Sequence, residues 1–90
     1  MTASPMEDDR PIATIRKNGR EQIRIALRTF KSHRNVDVRV YVENGDEQPL
    51  PTSKGISIRP ALLRPIIDAL AKAESAARDE GLLDVEEMAS

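Results

Sequence analysis

The sequence predicts an α+β fold, in which a four-stranded antiparallel sheet is followed by one C-terminal helix in the order β-β-β-β-α. Apolar and polar residues alternate in stretches between residues 12 and 58, which is the period of half-buried strands. Asn-Gly steps and a polar turn separate these stretches, as expected for hairpins. After residue 60 the apolar residues recur with helical spacing, which predicts a single amphipathic helix.

The first two strands are predicted at residues 12–16 and 22–30. Between them lies Asn18-Gly19, a pair that supplies the positive φ required by a tight hairpin turn. In the second strand, aliphatic side chains fall on one face, whereas Arg24 and Arg28 fall on the other. The predicted sheet therefore has an apolar face and a cationic face.

The third strand is predicted at residues 36–42, after a polar turn over residues 31–35. Four valines alternate there with Asp37, Arg39 and Tyr41, which is the clearest strand pattern in the chain. Asp37 shares its face with Arg39 and with the arginines of the second strand. We therefore expect it to form a cross-strand ion pair that orients arginines.

The fourth strand is predicted to be short. A turn beginning at Asn44-Gly45 is expected to lead into a polar loop that contains Pro49 and Pro51. Residues 54–58 then form the last strand, whose length suits the edge of a sheet.

Pro60 lies where the first residue of a helix is favoured, and helix-forming residues continue to Arg78, with Gly81 beyond them as the stop signal. Pro65 is expected to remove one internal hydrogen bond and to bend the helix or disturb its first turn. The apolar residues cover roughly 140° of the helix, which is wide enough for a dimer contact besides the sheet. The residues predicted for the dimer interface are Leu63, Ile66, Ile67 and Leu70.

Ninety residues are too few for two hydrophobic cores. We predict one domain over residues 12–79, between a flexible acidic N-terminal tail (1–11) and an acidic C-terminal tail (80–90). A chain of this length buries only about 60 to 65% of its unfolded surface, so a symmetric partner is expected. The lack of cysteine, of a bilayer-spanning apolar run and of a signal peptide predicts a cytoplasmic protein.

Charge is distributed unevenly along the chain, although the net charge is only -1. Residues 11–59 contain ten basic and five acidic residues, whereas residues 60–90 contain three basic and seven acidic residues. The first half is therefore suited to a polyanion, with ordinary solubilising charge as the alternative interpretation.

The sequence offers little for catalysis, which requires convergent acids, bases, nucleophiles or metal ligands. His33, the single histidine, lies in a polar turn beside cations and is expected to be solvated or to face phosphate. The Lys54-Gly55 step lacks the other glycines and the Ser or Thr of a phosphate-binding loop. We therefore predict no enzymatic activity, no cofactor and no metal.

Nucleic-acid binding has better support, because a curved sheet with a cationic face and accessible aromatic rings can hold single strands. The alternative is that Phe30 fills the core and that Tyr41 is only a surface cross-strand partner. The one helix is a poor reader of a duplex groove, since it is acidic in its C-terminal half. The predicted binding residues are Phe30, Lys31, Arg39, Lys54, Arg24, Arg28, Arg34 and Tyr41.

Four stretches of the sequence occur in a specific order and spacing. They are Lys17-Asn18-Gly19-Arg20-Glu21, then Phe30-Lys31, then residues 36–41 with their Asp-x-Arg pattern, and Lys54-Gly55-Ile56-Ser57-Ile58 followed by Pro60. Through residues 12–75, this arrangement resembles the transcriptional coactivator family of positive cofactor four, which has bacterial members.

The resemblance implies a strongly curved sheet, a kinked helix and a homodimer whose two sheets form paired grooves for single-stranded DNA. By matching position, Phe30 corresponds to the family's base-stacking aromatic residue and Lys31 to the basic residue beside it. Arg39 and Lys54 correspond to residues associated with contact to the nucleic-acid backbone.

The sequence departs from the family pattern at three positions. Val42 stands where better-known members carry a tryptophan, so one stacking platform is missing. Ser32 and His33 stand where glycine and lysine are common.

The sequence therefore predicts a homodimeric protein that binds single-stranded DNA, or RNA, with little sequence specificity. It would act as a transcriptional coactivator or in DNA metabolism, in the cytoplasm and associated with the nucleoid, with the transcription machinery as a further partner. The alternative is a protein-interaction module that binds the transcription machinery without significant affinity for nucleic acid.

Overall fold

The computed structural model describes residues 9–83. Four strands form one antiparallel sheet in sequential order, and a 3₁₀ turn and a helix follow. The elements are β1 (Arg10–Arg16), β2 (Glu21–Phe30), β3 (His33–Asn44), β4 (Glu47–Ile58), the 3₁₀ turn (Pro60–Leu62) and α1 (Leu63–Asp79). The predicted α+β class and element order are confirmed. The chain divides into two units, the sheet up to Pro60 and the helical segment from Ala61.

The best-buried part of the sheet lies where β2, β3 and β4 meet. Val36 pairs with Leu27 on one side and with Ile58 on the other, and both Val36 and Ile58 are buried. Val38 continues the same face two residues further along β3. The period of two predicted from the valines therefore places the aliphatic side chains together on one face.

The β2–β3 turn is tighter than the predicted polar turn over residues 31–35. Phe30 pairs with His33, so only Lys31 and Ser32 connect the strands, with φ values of 52° and 68°. Positive φ at both central residues is the pattern of a type I′ turn, whose twist matches that of the strands. Residues 33–35 consequently belong to β3.

The β1–β2 connection was predicted wrongly as a turn that depends on positive φ at Asn18-Gly19. Positive φ occurs at neither residue. Instead, the Asn18 side chain accepts hydrogen bonds from the backbone amides of Arg20 and Glu21, both at 2.9 Å. A short polar side chain that bonds to nearby backbone provides the same reversal without left-handed backbone.

The predicted loop with Pro49 and Pro51 is also wrong, because β4 begins at Glu47 and includes both prolines. The turn before it contains only Gly45, with φ of 61°, and Asp46. Since β4 is an edge strand, it tolerates residues that donate no hydrogen bond. Its register shifts twice against β3, and the larger shift lies between Arg39 and Tyr41.

The helical unit follows its sequence signals closely. Pro60 opens the 3₁₀ turn, and Pro65 is the third residue of α1, where an amide has no acceptor within the helix. The predicted irregular start of the helix is therefore present as the 3₁₀ turn. Pro65, however, does not remove a hydrogen bond from the interior of α1. Gly81, with φ of 74°, donates to the Arg78 carbonyl, and Leu82 donates to that of Ala77, which forms a Schellman ending.

No α1 residue is fully buried within its own chain, and Leu70 is 63% exposed. Within residues 9–83, no helix has the length and apolar character needed to cross a membrane.

Candidate nucleic-acid interface

The register of the strands assembles most of the predicted binding residues on one side of the sheet. Arg24 pairs with Arg39, Ala26 with Asp37, and Phe30 with His33, so their side chains share a face. We define the polar face by the residues Arg24, Arg28, Phe30, Asp37, Arg39 and Tyr41.

Phe30 forms one end of the polar face. Its side chain is 65% exposed, and the Lys31 Nζ atom lies 5.3 Å from the ring centroid, within cation–π range. An open cavity of about 310 Å³ adjoins the ring, with Asn35 and Ser57 among its lining residues. The exposure of Phe30 rules out the alternative that it fills the core of its own chain.

Asp37 is the charged centre of the polar face. It is only 7% exposed, and its two carboxylate oxygens accept hydrogen bonds from Arg39 Nε at 3.1 Å and Nη2 at 3.0 Å. This bidentate bond raises the pKa of Arg39 above its ordinary value, despite partial burial. The predicted cross-strand ion pair is present with Arg28, but only at 3.9 Å, and the main partner of Asp37 is Arg39, two residues away on the same strand.

Arg39 is held from a second side by β4. Its Nη1 atom donates to the Thr52 carbonyl at 2.9 Å. Gly55 lies directly against it, because a Cβ atom there would be 2.6 Å from the Val38 carbonyl oxygen and 3.0 Å from the Arg39 Cζ atom. Gly55 thus leaves room for the arginine to lie across β4, a role that its place in the Lys-Gly-Ile-Ser stretch does not reveal.

Arg28 lies between two carboxylates. Its Nε atom is 3.3 Å from Asp9 Oδ1, and its Nη1 atom is 3.9 Å from Asp37 Oδ2. Asp9 comes from the acidic N-terminal segment, so one acidic residue of that segment contacts the polar face.

Arg24 and Tyr41 form the other end of the polar face. The Arg24 Cζ atom lies 4.5 Å from the Tyr41 ring centroid, and Arg24 Nε donates to Gln22 Oε1 at 2.9 Å. Gln22 was not predicted as a site residue, although its position two residues before Arg24 puts it on the same face.

Arg34 and Lys54 lie off the polar face, although Arg34 lines an open cavity of about 450 Å³ with Phe30 and Lys31, and Lys54 lines a depression with Arg39. Arg34 Nη1 donates to Thr29 Oγ1 at 3.1 Å, and Thr29 alternates with Arg28 and Phe30 along β2. Lys54 is adjacent to Gly55 and lines a shallow depression with the aliphatic residues Ile23, Val38, Val40 and Ile56. Both cations therefore lie on the side of the sheet that carries the valines.

Lys54 also contributes to the electrostatics of the first hairpin. The pKa of Glu21 is lowered, chiefly by a hydrogen bond from Lys17 and then by one from Asn18, with a smaller effect of the Lys54 charge. His33 is exposed at the β2–β3 turn. No group of three metal-ligating side chains that could hold an ion occurs in the described part of the chain.

Comparisons with known proteins agree with this geometry. Residues 17–69 match the sequence profile of a family described as Transcriptional Coactivator p15 (PC4). A PC4 homolog from Burkholderia pseudomallei is similar in its tetragonal crystal form, with 41% identity over 73% of this chain and 97% of that chain, and a TM-score of 0.68. Its orthorhombic form gives 38% identity over 81% and 96%, with a TM-score of 0.70.

A more distant structure shares the fold alone. It is a bacteriophage T5 homolog of the eukaryotic coactivator PC4, implicated in recombination-dependent DNA replication. The two chains share 22% identity over 92% of this chain and 98% of that chain, with a TM-score of 0.59. A search of curated protein sequences gave no match.

Proposed function

Since this chain belongs to the family of the transcriptional coactivator p15 (PC4), we propose that the polar face of its sheet binds single-stranded DNA with little sequence preference. The observation that carries the proposal is the exposed Phe30 ring with the Lys31 amine beside it. An aromatic ring stacks on any base, and an adjacent cation neutralises phosphate. The protein would use this binding as a transcriptional coactivator or in DNA metabolism.

Lys31, in the turn beside the polar face, and Arg39, within it, would have different roles in binding. Lys31 has a flexible stem and would follow the phosphates as a mobile charge. Arg39 would present its remaining N–H groups from a fixed position, because Asp37 and Thr52 already occupy its Nε, Nη2 and Nη1 atoms. Neither role reads the edge of a base, which accounts for weak sequence preference.

The proposed assembly is a homodimer formed through α1. Ile67 and Leu70 are 46% and 63% exposed, and apolar surface of this kind is normally covered by a partner. Leu63 and Ile66 lie on the same side of the helix and would complete the contact. Two polar faces in one particle would bind a long strand with increased avidity.

The proposal is tested by fluorescence anisotropy of a labelled oligothymidine at two salt concentrations, with unlabelled duplex as competitor. We expect salt-sensitive binding that duplex of equal length does not displace. Phe30→Ala should cost about 1–3 kcal/mol with an unchanged salt slope, whereas Lys31→Ala should reduce the slope by about 1. Phe30→Tyr is the matched control and should bind normally.

Lys54→Ala tests whether the strand also crosses the β4 edge. A slope reduced by about 1 would extend the interface to the valine side of the sheet. Wild-type protein that binds no oligothymidine at low salt would refute the proposal and favour a protein-interaction module.

A further inference from the structure

A cleft of about 320 Å³ lies over β1 and β2 on the polar face, away from the Phe30 end. Ala26 lies at its base, and this small side chain leaves the space between Arg24 and Arg28 open. Opposite Ala26, the register of β1 shifts between Pro11 and Ala13. Such irregularities are frequent next to binding sites, because they bend the strand locally.

Arg24 is fixed at the wall of this cleft. The Tyr41 ring lies 4.5 Å from its Cζ atom, and the Gln22 side chain binds its Nε atom. No carboxylate among residues 9–83 forms an ion pair with Arg24. Its guanidinium is therefore oriented by neutral groups and keeps both its charge and its Nη donors available.

We propose that this cleft is a second nucleobase-binding site, in which a base stacks on the Arg24 guanidinium while the Tyr41 ring supports that group from behind. The inference deepens the proposed function, since it rests on single-stranded DNA binding at the polar face. A planar guanidinium stacks on π-systems through either of its faces, so one arginine can join a ring to a base. Arg28 and Asp9 also line the cleft and are paired at 3.3 Å, so the adjoining phosphate would replace the Asp9 carboxylate at Arg28.

The Arg24 cleft and the Phe30 ring lie towards opposite ends of the polar face. Arg24 and Phe30 are six residues apart on one strand, which corresponds to about 20 Å. A strand of a few nucleotides occupies one site only, whereas a longer strand occupies both. The second site would therefore offer a stacking surface in a chain that has Val42 where better-known family members carry a tryptophan.

Tyr41 itself reports occupancy of the cleft. It is the only tyrosine in the chain, and there is no tryptophan. Saturation with a long oligothymidine should change the intrinsic tyrosine fluorescence of the wild-type protein. In the Arg24→Lys variant, which keeps the charge but loses the planar group, this change should be reduced.

The decisive experiment measures affinity for oligothymidines of about 4 to about 16 nucleotides. Arg24→Lys and Ala26→Leu, which fills the cleft without changing charge, should each weaken binding of long strands by about 5-fold or more. Both should leave the shortest strands unaffected. Arg64→Lys, on α1, is the matched control and should bind like the wild type at every length.

Three results would contradict these proposals, and each shows whether the second site or the proposed function has failed. Wild-type affinity for both variants at all lengths would overturn the second site and leave the proposed function intact. An equal loss for the shortest and longest strands would also overturn it, since Arg24 would then act at the Phe30 end. Failure of the wild-type protein to bind any strand would overturn the proposed function itself.

Discussion

Lys31 and Ser32 connect β2 to β3 through left-handed backbone, which side chains with a Cβ atom adopt at a cost. We expect Ser32→Gly to raise the free energy of unfolding by about 0.5–1 kcal/mol, because glycine adopts the φ of 68° without that cost. Urea denaturation measures the change. Ser32→Ala retains a Cβ atom and should not stabilise the protein, so equal stabilisation by both variants would contradict the explanation.

Arg39 illustrates why the number of arginines on a surface overstates its affinity for a polyanion. Asp37 neutralises this guanidinium at 3.0 Å, and it also lies near Arg28, which Asp9 contacts as well. Only cations that release condensed counterions contribute to the salt slope. Lys31 and Arg24, which lack a carboxylate partner among residues 9–83, therefore matter more than the paired arginines.

The pairing of β3 with β4 depends on the absence of a side chain at Gly55. A Cβ atom there would be 2.6 Å from the Val38 carbonyl oxygen and 2.9 Å from the Arg39 Cα atom, and backbone cannot move away easily. We expect Gly55→Ala to lower the free energy of unfolding by about 1–3 kcal/mol. Thermal or urea unfolding provides the measurement.

The chain supplies a matched control for this substitution. At Gly19 a Cβ atom would meet nothing within 4 Å, and its φ is not positive. Gly19→Ala should therefore change stability much less than Gly55→Ala. If the two variants were equally destabilised, the contact of Gly55 with β3 would not be the cause.

The hydrogen bonds of the first hairpin predict a lowered pKa for Glu21. Glu21 accepts hydrogen bonds from Lys17 at 2.8 Å and Asn18 at 2.7 Å, which lower its pKa below the ordinary 4.5. Because the folded-state pKa is depressed, this contact is fully present above pH 4.5 and is lost as the pH falls through the lowered value. NMR titration of the Glu21 carboxylate should show a midpoint below 4.5 that moves back towards 4.5 in Lys17→Ala. An unmoved midpoint would remove Lys17 as the cause.

The element order and the helix ends follow from local patterns, whereas the first half of β4 does not. Prolines at positions 49 and 51 argue against a strand, and their tolerance depends on β4 lying at the edge of the sheet, which is a property of the whole fold. The position of the β1–β2 turn was predicted correctly, but its geometry was not, because Asn-Gly serves more than one turn geometry.

The residues of the polar face were predictable from the two-residue period of the strands, which places alternate side chains on the same face. Arg24, Arg28 and Phe30 share a face in the structure as their spacing requires. The same period groups Lys54 with Ile56 and Ile58, and Arg34 with Val36, on the valine side. Their place in the predicted site came from charge and resemblance, which carry no information about the face of a sheet.

At the scale of the whole molecule, the uncovered apolar residues of α1 are the strongest reason to expect a dimer. Leu70 is 63% exposed and Ile67 46% exposed in a single chain. We expect the double variant Ile67→Gln/Leu70→Gln to be monomeric in sedimentation experiments, because polar side chains remove the gain from covering this surface. Affinity for long oligothymidines should fall with it, since a monomer offers one polar face instead of two.

Ser75→Gln is the control for that experiment, because this position lies outside the apolar arc of α1 and receives the same side chain. It should sediment like the wild type and bind long strands equally well. Short strands that engage a single polar face should bind the monomeric variant and the wild type alike, which separates lost avidity from lost folding. A double variant that remains dimeric would move the dimer contact away from α1, and the apolar face of the sheet would then be the surface to examine.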